Sequence, residues 1–208
     1  MFLSLYYIVA LIFVLSFHEC SHAWVANRLG DPTAKREGRL TLNPLAHLDI
    51  LGTLMMFLVG IGWGKPVPVN PQNFAKPLRD QAFTALAGPL ANLVLAFLFA
   101  IPYSYLPIGE GWDQLTLLSG AVLDVSLVLF IFNMLPFPPL DGSKFYVLFI
   151  PKRFHRTYLV FLTKGLPYVI VLMFVDLYLF ERIFGASFIW TVVSEATFWL
   201  KAAILLVV

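Results

Sequence analysis

Near the start of the chain, His18-Glu19-Cys20-Ser21-His22 forms an H-E-x-x-H pattern. Residues four apart lie on one helix face about one turn apart, so both imidazoles can grip a single metal ion. Glu19 is offset by about 100° around the helix and reaches a water on the metal rather than the metal itself. Two His ligands with a neighbouring Glu general base are the spacing used by zinc-dependent peptidases. In a chain with four His and five Glu the pattern arises by chance roughly once in five hundred sequences.

A second argument is independent of the motif. Ionisable side chains inside an apolar span are costly and need a compensating partner, and a dication is the obvious one for three of them within one turn. Two His ligands leave a tetrahedral catalytic zinc one protein ligand short, with water in the last position. The candidate third ligand is Asp141, within LPFPPLDGSK at 135–144. Pro136, Pro138 and Pro139 end the preceding helix there, and Gly142 permits an unusual backbone turn.

The elements that must hold these residues follow from composition. Of the 208 residues 60% are hydrophobic and 12% charged, and mean hydropathy is +0.83. Soluble domains carry roughly 25% charge, so a soluble enzyme, a disordered region and a nucleic-acid-binding module are excluded. The single cysteine, Cys20, rules out an internal disulfide framework. Crossing a bilayer takes about 20 mostly apolar residues. Five stretches qualify: 2–26, 81–103, 115–135, a span within 157–180, and 188–208. Residues 1–17 have no basic leader region and no small-x-small cleavage site after them, so the first stretch reads as a retained helix. The apolar run 50–63 is too short to cross and fits a re-entrant segment. The fold expected is an all-α polytopic membrane protein, one integral-membrane domain over 1–208, with a catalytic core at about 10–150 and C-terminal helices at about 157–208.

Eleven of the fourteen Lys and Arg residues fall in the three loops 27–49, 64–80 and 136–156, whereas 104–114 holds Glu110, Asp113 and no base. Cytoplasmic loops collect Lys and Arg. The N-terminus is therefore expected outside, the 50–63 segment dips and returns, and the last two helices go out and back. This threading brings Asp141 to the same membrane side as His18 and His22. Between the first two spans, Pro66, Pro68, Pro71 and Pro77 forbid a helix, and the alternation around Val67 and Val69 suggests a short extended strip. Such backbone must line protein or a watery cavity. Its residues Lys65, Pro66, Val67, Pro68, Val69 and Asn70 could receive a substrate segment as an added strand.

Other polar residues carry two readings each. Asn92 and Asn133 can hydrogen-bond a developing oxyanion or substrate backbone, or can join helices. His47 reads as interfacial, Cys20 as packing on the face away from His18. Asp124 and Asp176 are intramembrane acids without an evident partner in the sequence, and read as interior hydrogen-bonding groups rather than catalytic ones.

His18–His22, the stretch RLGDPTAKREGRLT at 28–41, NPLAHLDILGT at 43–53, GPLAN at 88–92 and NMLPFPPLDG at 133–142 occur in this order. Together they resemble the site-2 protease family of intramembrane zinc metalloproteases, in its short prokaryotic branch, whose loops leave no room for a PDZ-like or CBS-like domain. The resemblance implies one zinc ion held by His18, His22 and Asp141, Glu19 as general base, and Asn133 favoured at the oxyanion. It implies hydrolysis inside a prokaryotic plasma membrane, near the cytoplasmic face, with transmembrane proteins as substrates and the lipid bilayer, not nucleic acid, as surroundings. Two other readings compete. A divalent-cation transporter would use the same ligands but gives no reason for Glu19, and a catalytically silent relative would have no use for that residue.

Overall fold

Lipid offers the backbone nothing to bond to, so the apolar stretches fold as helices that satisfy their own N–H and C=O groups. In the computed structural model, which describes residues 5–52, 54, 64–107, 109 and 111–208, the long helices are α1 (Leu5–Arg28), α2 (Pro77–Tyr105) and α3 (Asp113–Asn133). A short α4 (Asp141–Phe145), α5 (His155–Lys164), α6 (Leu166–Phe174) and α7 (Phe188–Val207) follow. The chain is an all-α polytopic membrane protein. Among the described residues four helices are long and apolar enough to cross a bilayer, or five if the pair bent by 62° at Gly165 counts as one. Most of the expected re-entrant segment 50–63 lies outside the described residues. Helix α2 starts at Pro77, four residues before the expected span, because proline suits a first helical position and Asp80 accepts the Lys76 N–H at 2.8 Å.

Helix α2 packs along both α1 and α3. Its buried residues are mostly small: Leu95 packs with Ala10 of α1 and Ala121 of α3, while Ala96 and Ala100 pack against Leu123 and Leu127 of α3 and Ile204 of α7. Where lipid removes the hydrophobic drive between helices, small side chains let backbones approach and gain dispersion contacts.

The two ends of the bundle differ. Tyr6 donates to Gln114 and Tyr105 to the Val208 carbonyl, so the start of α1, the α2–α3 turn and the end of α7 share one end. The opposite end holds Arg28, Pro77 and Asn133. Phe188 and Ile189 sit there too, around an apolar cavity lined also by Leu135, Phe137 and Leu172. Helix α5 begins at that same end, where Tyr158 Oη donates to the Ser143 carbonyl at 2.6 Å.

The α5–α6 pair therefore starts and finishes at one end, and α7 alone runs back. This differs from the expected out-and-back pair of crossings. Gly165 and Pro167 break the helix, and Asp176 ties its continuation to the start of α7. That carboxylate accepts from the Ser187 hydroxyl, the Phe188 N–H at 2.9 Å and the Ile189 N–H at 3.2 Å.

Asp124 and Asp176 thus both make interior hydrogen bonds, the role the sequence reading favoured, and the structure supplies the partners that the sequence did not show. Asp124 accepts from Lys201 Nζ at 2.6 Å and Tyr7 Oη at 3.0 Å, and Lys201 lies 5.0 Å from the Tyr103 ring centroid. The partners come from distant segments, so only tertiary structure reveals them. Asp124→Leu leaves Lys201 without its counter-ion in an apolar span, an expected loss of about 1–3 kcal/mol. Thermal unfolding in detergent should show a lowered Tm, partly restored by combining Asp124→Lys with Lys201→Asp. An unchanged Tm in Asp124→Leu would mean the pair contributes nothing.

Candidate metal centre

On α1, His18 and His22 stand one turn apart and face α2. The His22 Nδ1 lies 2.7 Å from the Thr84 carbonyl, to which it can only donate, so a neutral ring carries its lone pair on Nε2. From the other side Asp141 Oδ2 lies 3.1 Å from His18 Nε2 and 3.2 Å from His22 Nε2, and the two Nε2 atoms are 3.0 Å apart. Ligand atoms at about 2.0–2.1 Å from a tetrahedral zinc stand about 3.3 Å from one another, close to this triangle. All three residues are buried, at 4%, 7% and 9% exposure for His18, His22 and Asp141, so water does not separate them. Three electron-pair donors converging in a dry site repel one another unless a cation or proton sits between. The donor set fits one divalent metal ion.

Two glycines make the convergence possible. A Cβ at Gly88 would lie 2.4 Å from His22 Nε2 and 2.6 Å from His18 Nε2, so any other residue would occupy the imidazoles' place. At Gly142 a Cβ would lie 2.5 Å from the Met134 carbonyl oxygen and 2.7 Å from that of Leu135. The chain folds straight back over the end of α3, which starts α4 with Asp141 aimed at the two rings. Gly142 is not among the glycines with positive φ, so its role is close approach and not the unusual dihedral expected from sequence.

The triad opens onto a cavity of about 530 Å³, lined also by Glu19, Val67, Val69, Asn133 and Lys144. That volume accommodates a short peptide segment. Glu19 makes no hydrogen bond to any described residue. Asn133 donates to the Leu129 carbonyl at 3.0 Å and keeps its second amide hydrogen. Asn92 is elsewhere. It is fully buried behind His18, with its amide 3.0 Å from His18 Nδ1, a contact that joins α2 to α1, the second of its two sequence readings. Cys20 is half-buried and does not line the cavity.

The strip Lys65–Asn70 is held at both ends. Lys65 N–H donates to the His47 carbonyl at 2.8 Å, beside an isolated antiparallel bridge between Leu48 and Gly64. Arg39 donates to the Lys65 carbonyl at 2.5 Å and the Pro66 carbonyl at 3.2 Å. At the other end Asn70 N–H donates to Asp31 at 2.7 Å, and Asp31 also accepts from Asn73 at 2.7 Å and the Thr33 N–H at 3.1 Å. Burial alone would raise the Asp31 carboxyl, but these donors hold it below its ordinary value. His47 is fully buried and donates to the Thr41 carbonyl at 2.8 Å, so it braces the loop and is not interfacial. Between the anchors Val67 and Val69 line the cavity, and their backbone N–H and C=O groups have no partner among the described residues.

Sequence reasoning missed Thr84, Gly88, Arg39 and Asp31 as site-building residues. For the first two the signal was available: Thr84, Gly88 and Asn92 recur every four residues and so share one face of α2.

No family model matches the chain, and no solved structure matches it. Curated relatives do. One is "Putative zinc metalloprotease YwhC" of Bacillus subtilis (strain 168), 41% identical over 150 residues, or 67% of this chain and 66% of that protein. Another is "Putative zinc metalloprotease MJ0611" of Methanocaldococcus jannaschii, 34% identical over 146 residues, or 69% and 71%. A third, "Putative zinc metalloprotease Rip2" of Mycolicibacterium smegmatis, is 37% identical over 136 residues, or 62% and 51%. The matched regions thus span from about half to seven-tenths of the relatives' lengths.

The Gly88 contact gives a direct test. By helix propensity alone Gly88→Ala stabilises α2 by about 1 kcal/mol. Against that, the added methyl displaces both imidazoles. The expected result is a helix content unchanged by circular dichroism with zinc per chain at least halved in detergent-purified protein. Full zinc content in Gly88→Ala would remove Gly88 from the site.

Proposed function

The chain belongs to the site-2 protease family of zinc metalloproteases, and we propose that it hydrolyses peptide bonds in or near transmembrane segments of membrane proteins, as in regulated intramembrane proteolysis. The observation that carries the reading is the buried His18–His22–Asp141 triangle, with Glu19 beside it on an open cavity. His18 lies ten residues from the end of α1 at Arg28, about 15 Å along the axis, which supports a site within the membrane's thickness. The Lys- and Arg-rich loops at that end support a prokaryotic plasma membrane with the site toward the cytoplasm.

In this reading His18, His22 and Asp141 hold one zinc ion per chain. When bound, zinc supplies Lewis acidity that polarises a carbonyl and lowers the pKa of water. Glu19, which makes no hydrogen bond to the described residues, takes the proton of the attacking water and passes it to the leaving amine. Asn133 donates its second amide hydrogen toward the developing oxyanion. A transmembrane substrate must first unwind, because a helix hides its scissile carbonyls in hydrogen bonds. The unpartnered backbone of Val67 and Val69 offers the freed segment a strand to pair with, and the alternate side chains fix its register beside Glu19. Lipid surrounds the enzyme, and substrates reach the cavity from within the bilayer.

Two experiments test this. In Glu19→Gln, zinc is retained while cleavage of a single-span substrate falls by about 10²–10⁴-fold. Cleavage at the wild-type rate would overturn the proposal, and so would zinc transport into vesicles that survives in Glu19→Gln without any proteolysis by wild type. In Val67→Pro and Val69→Pro, which each remove one backbone donor, cleavage falls at least about tenfold at unchanged zinc content. Parallel loss of zinc and cleavage would argue that the strip supports the fold and does not bind substrate.

A further inference from the structure

We infer that Asn92 is a positioning residue for the metal centre: its side-chain oxygen accepts the Nδ1–H of His18 and thereby reserves His18 Nε2 for the metal. The inference rests on the zinc reading above and gives a specific task to a residue for which the sequence left two roles open. Asn92 is fully buried, and its amide group lies 3.0 Å from His18 Nδ1. With the nitrogen end toward the ring, Asn92 Oδ1 is a buried acceptor without a partner among the described residues. A half-turn of the amide exchanges its two ends without moving any other atom.

The two orientations demand opposite tautomers of His18. If the amide N–H donates to Nδ1, that atom carries the lone pair and the ring proton sits on Nε2. The proton would then occupy the gap shared with His22 Nε2 at 3.0 Å and Asp141 Oδ2 at 3.1 Å, where a metal ligand needs its lone pair. If instead Oδ1 faces the ring, Nδ1 is the donor, Nε2 is free, and the orphaned acceptor has its partner. His18 then matches His22, whose Nδ1–H is taken by the Thr84 carbonyl at 2.7 Å.

A single face of α2 therefore supports both rings. Thr84 holds one through its main chain, Asn92 holds the other through its side chain, and Gly88 between them leaves room for the imidazoles. Ligating histidines almost always donate their second N–H, and loss of that acceptor lowers metal affinity by about 10–100-fold. A neutral amide supplies the acceptor without adding another charge to the span.

The test compares full-length wild type, Asn92→Leu and Asn92→Asp in detergent, with zinc affinity measured by chelator competition. Asn92→Leu should bind zinc about 10–100-fold more weakly, and Asn92→Asp, which keeps an acceptor and loses the amide donor, should stay within about tenfold of wild type. Unchanged affinity in Asn92→Leu overturns the inference, as does loss of zinc in a folded Asn92→Asp. Should Asn92→Asp not fold, ¹⁵N-histidine NMR of the zinc-loaded wild type decides the matter. The expected signature is a slowly exchanging proton on His18 Nδ1, and a proton on Nε2 overturns the inference. Wild type that binds no zinc removes the underlying reading, a failure visible before any Asn92 variant is compared.

Discussion

Helices α1 and α2 approach so closely at Gly88 that two imidazole rings lie directly on the α2 backbone, and the near end of the molecule is organised around that approach. Rings held this tightly cannot turn to find water. Every polar atom they present must meet a group already in place, and the surrounding helices provide those groups one by one. Farther along α2, Ala96 and Ala100 present small side chains to α3 and α7, and toward the rings the stripe is Thr84 and Gly88. Had α2 carried ordinary Leu or Phe side chains on this stripe, the rings would have been pushed toward the cavity and away from Asp141.

Asp141 reaches the rings for the same kind of reason. The turn at Met134–Gly142 is compressed until a Cβ could not fit, so the carboxylate is delivered by backbone proximity and not by a long flexible side chain. A short acid on a tight turn loses little conformational freedom when it engages its partners. The strip opposite follows another logic. Its conformation comes from proline and from two buried charged groups, Arg39 and Asp31, that bond main-chain atoms. Charge-assisted bonds of that kind are strong in a low-dielectric setting and costly to break singly.

The crossing helices were legible from hydropathy, because lipid tolerates few alternatives to a helix of about 20 apolar residues. His18, Glu19 and His22 were legible because one helix holds all three at fixed spacing, and Asp141 followed once the topology brought it to their side. What escaped was whatever depends on contact between segments. Asp124 and Lys201 are 77 positions apart, so neither predicted the other. The return of the α5–α6 pair was hidden because its composition suits a crossing and its bend does not show in hydropathy. Asn92 was noticed with two readings left open, since a buried amide can serve a substrate or a neighbour equally well until its neighbour is known.

The bridge between Leu48 and Gly64 has a consequence for how such a protein can vary. It fastens the base of the intervening chain, residues 49–63, immediately before the strip begins. Closing a loop costs free energy that grows only with the logarithm of its length, about 0.6 kcal/mol for each doubling. Lengthening or rewriting that stretch therefore puts little load on the fastening, and the strip keeps its place beside Glu19. The clasp, and not the chain it closes, holds Val67 and Val69 beside the His18–His22–Asp141 triangle.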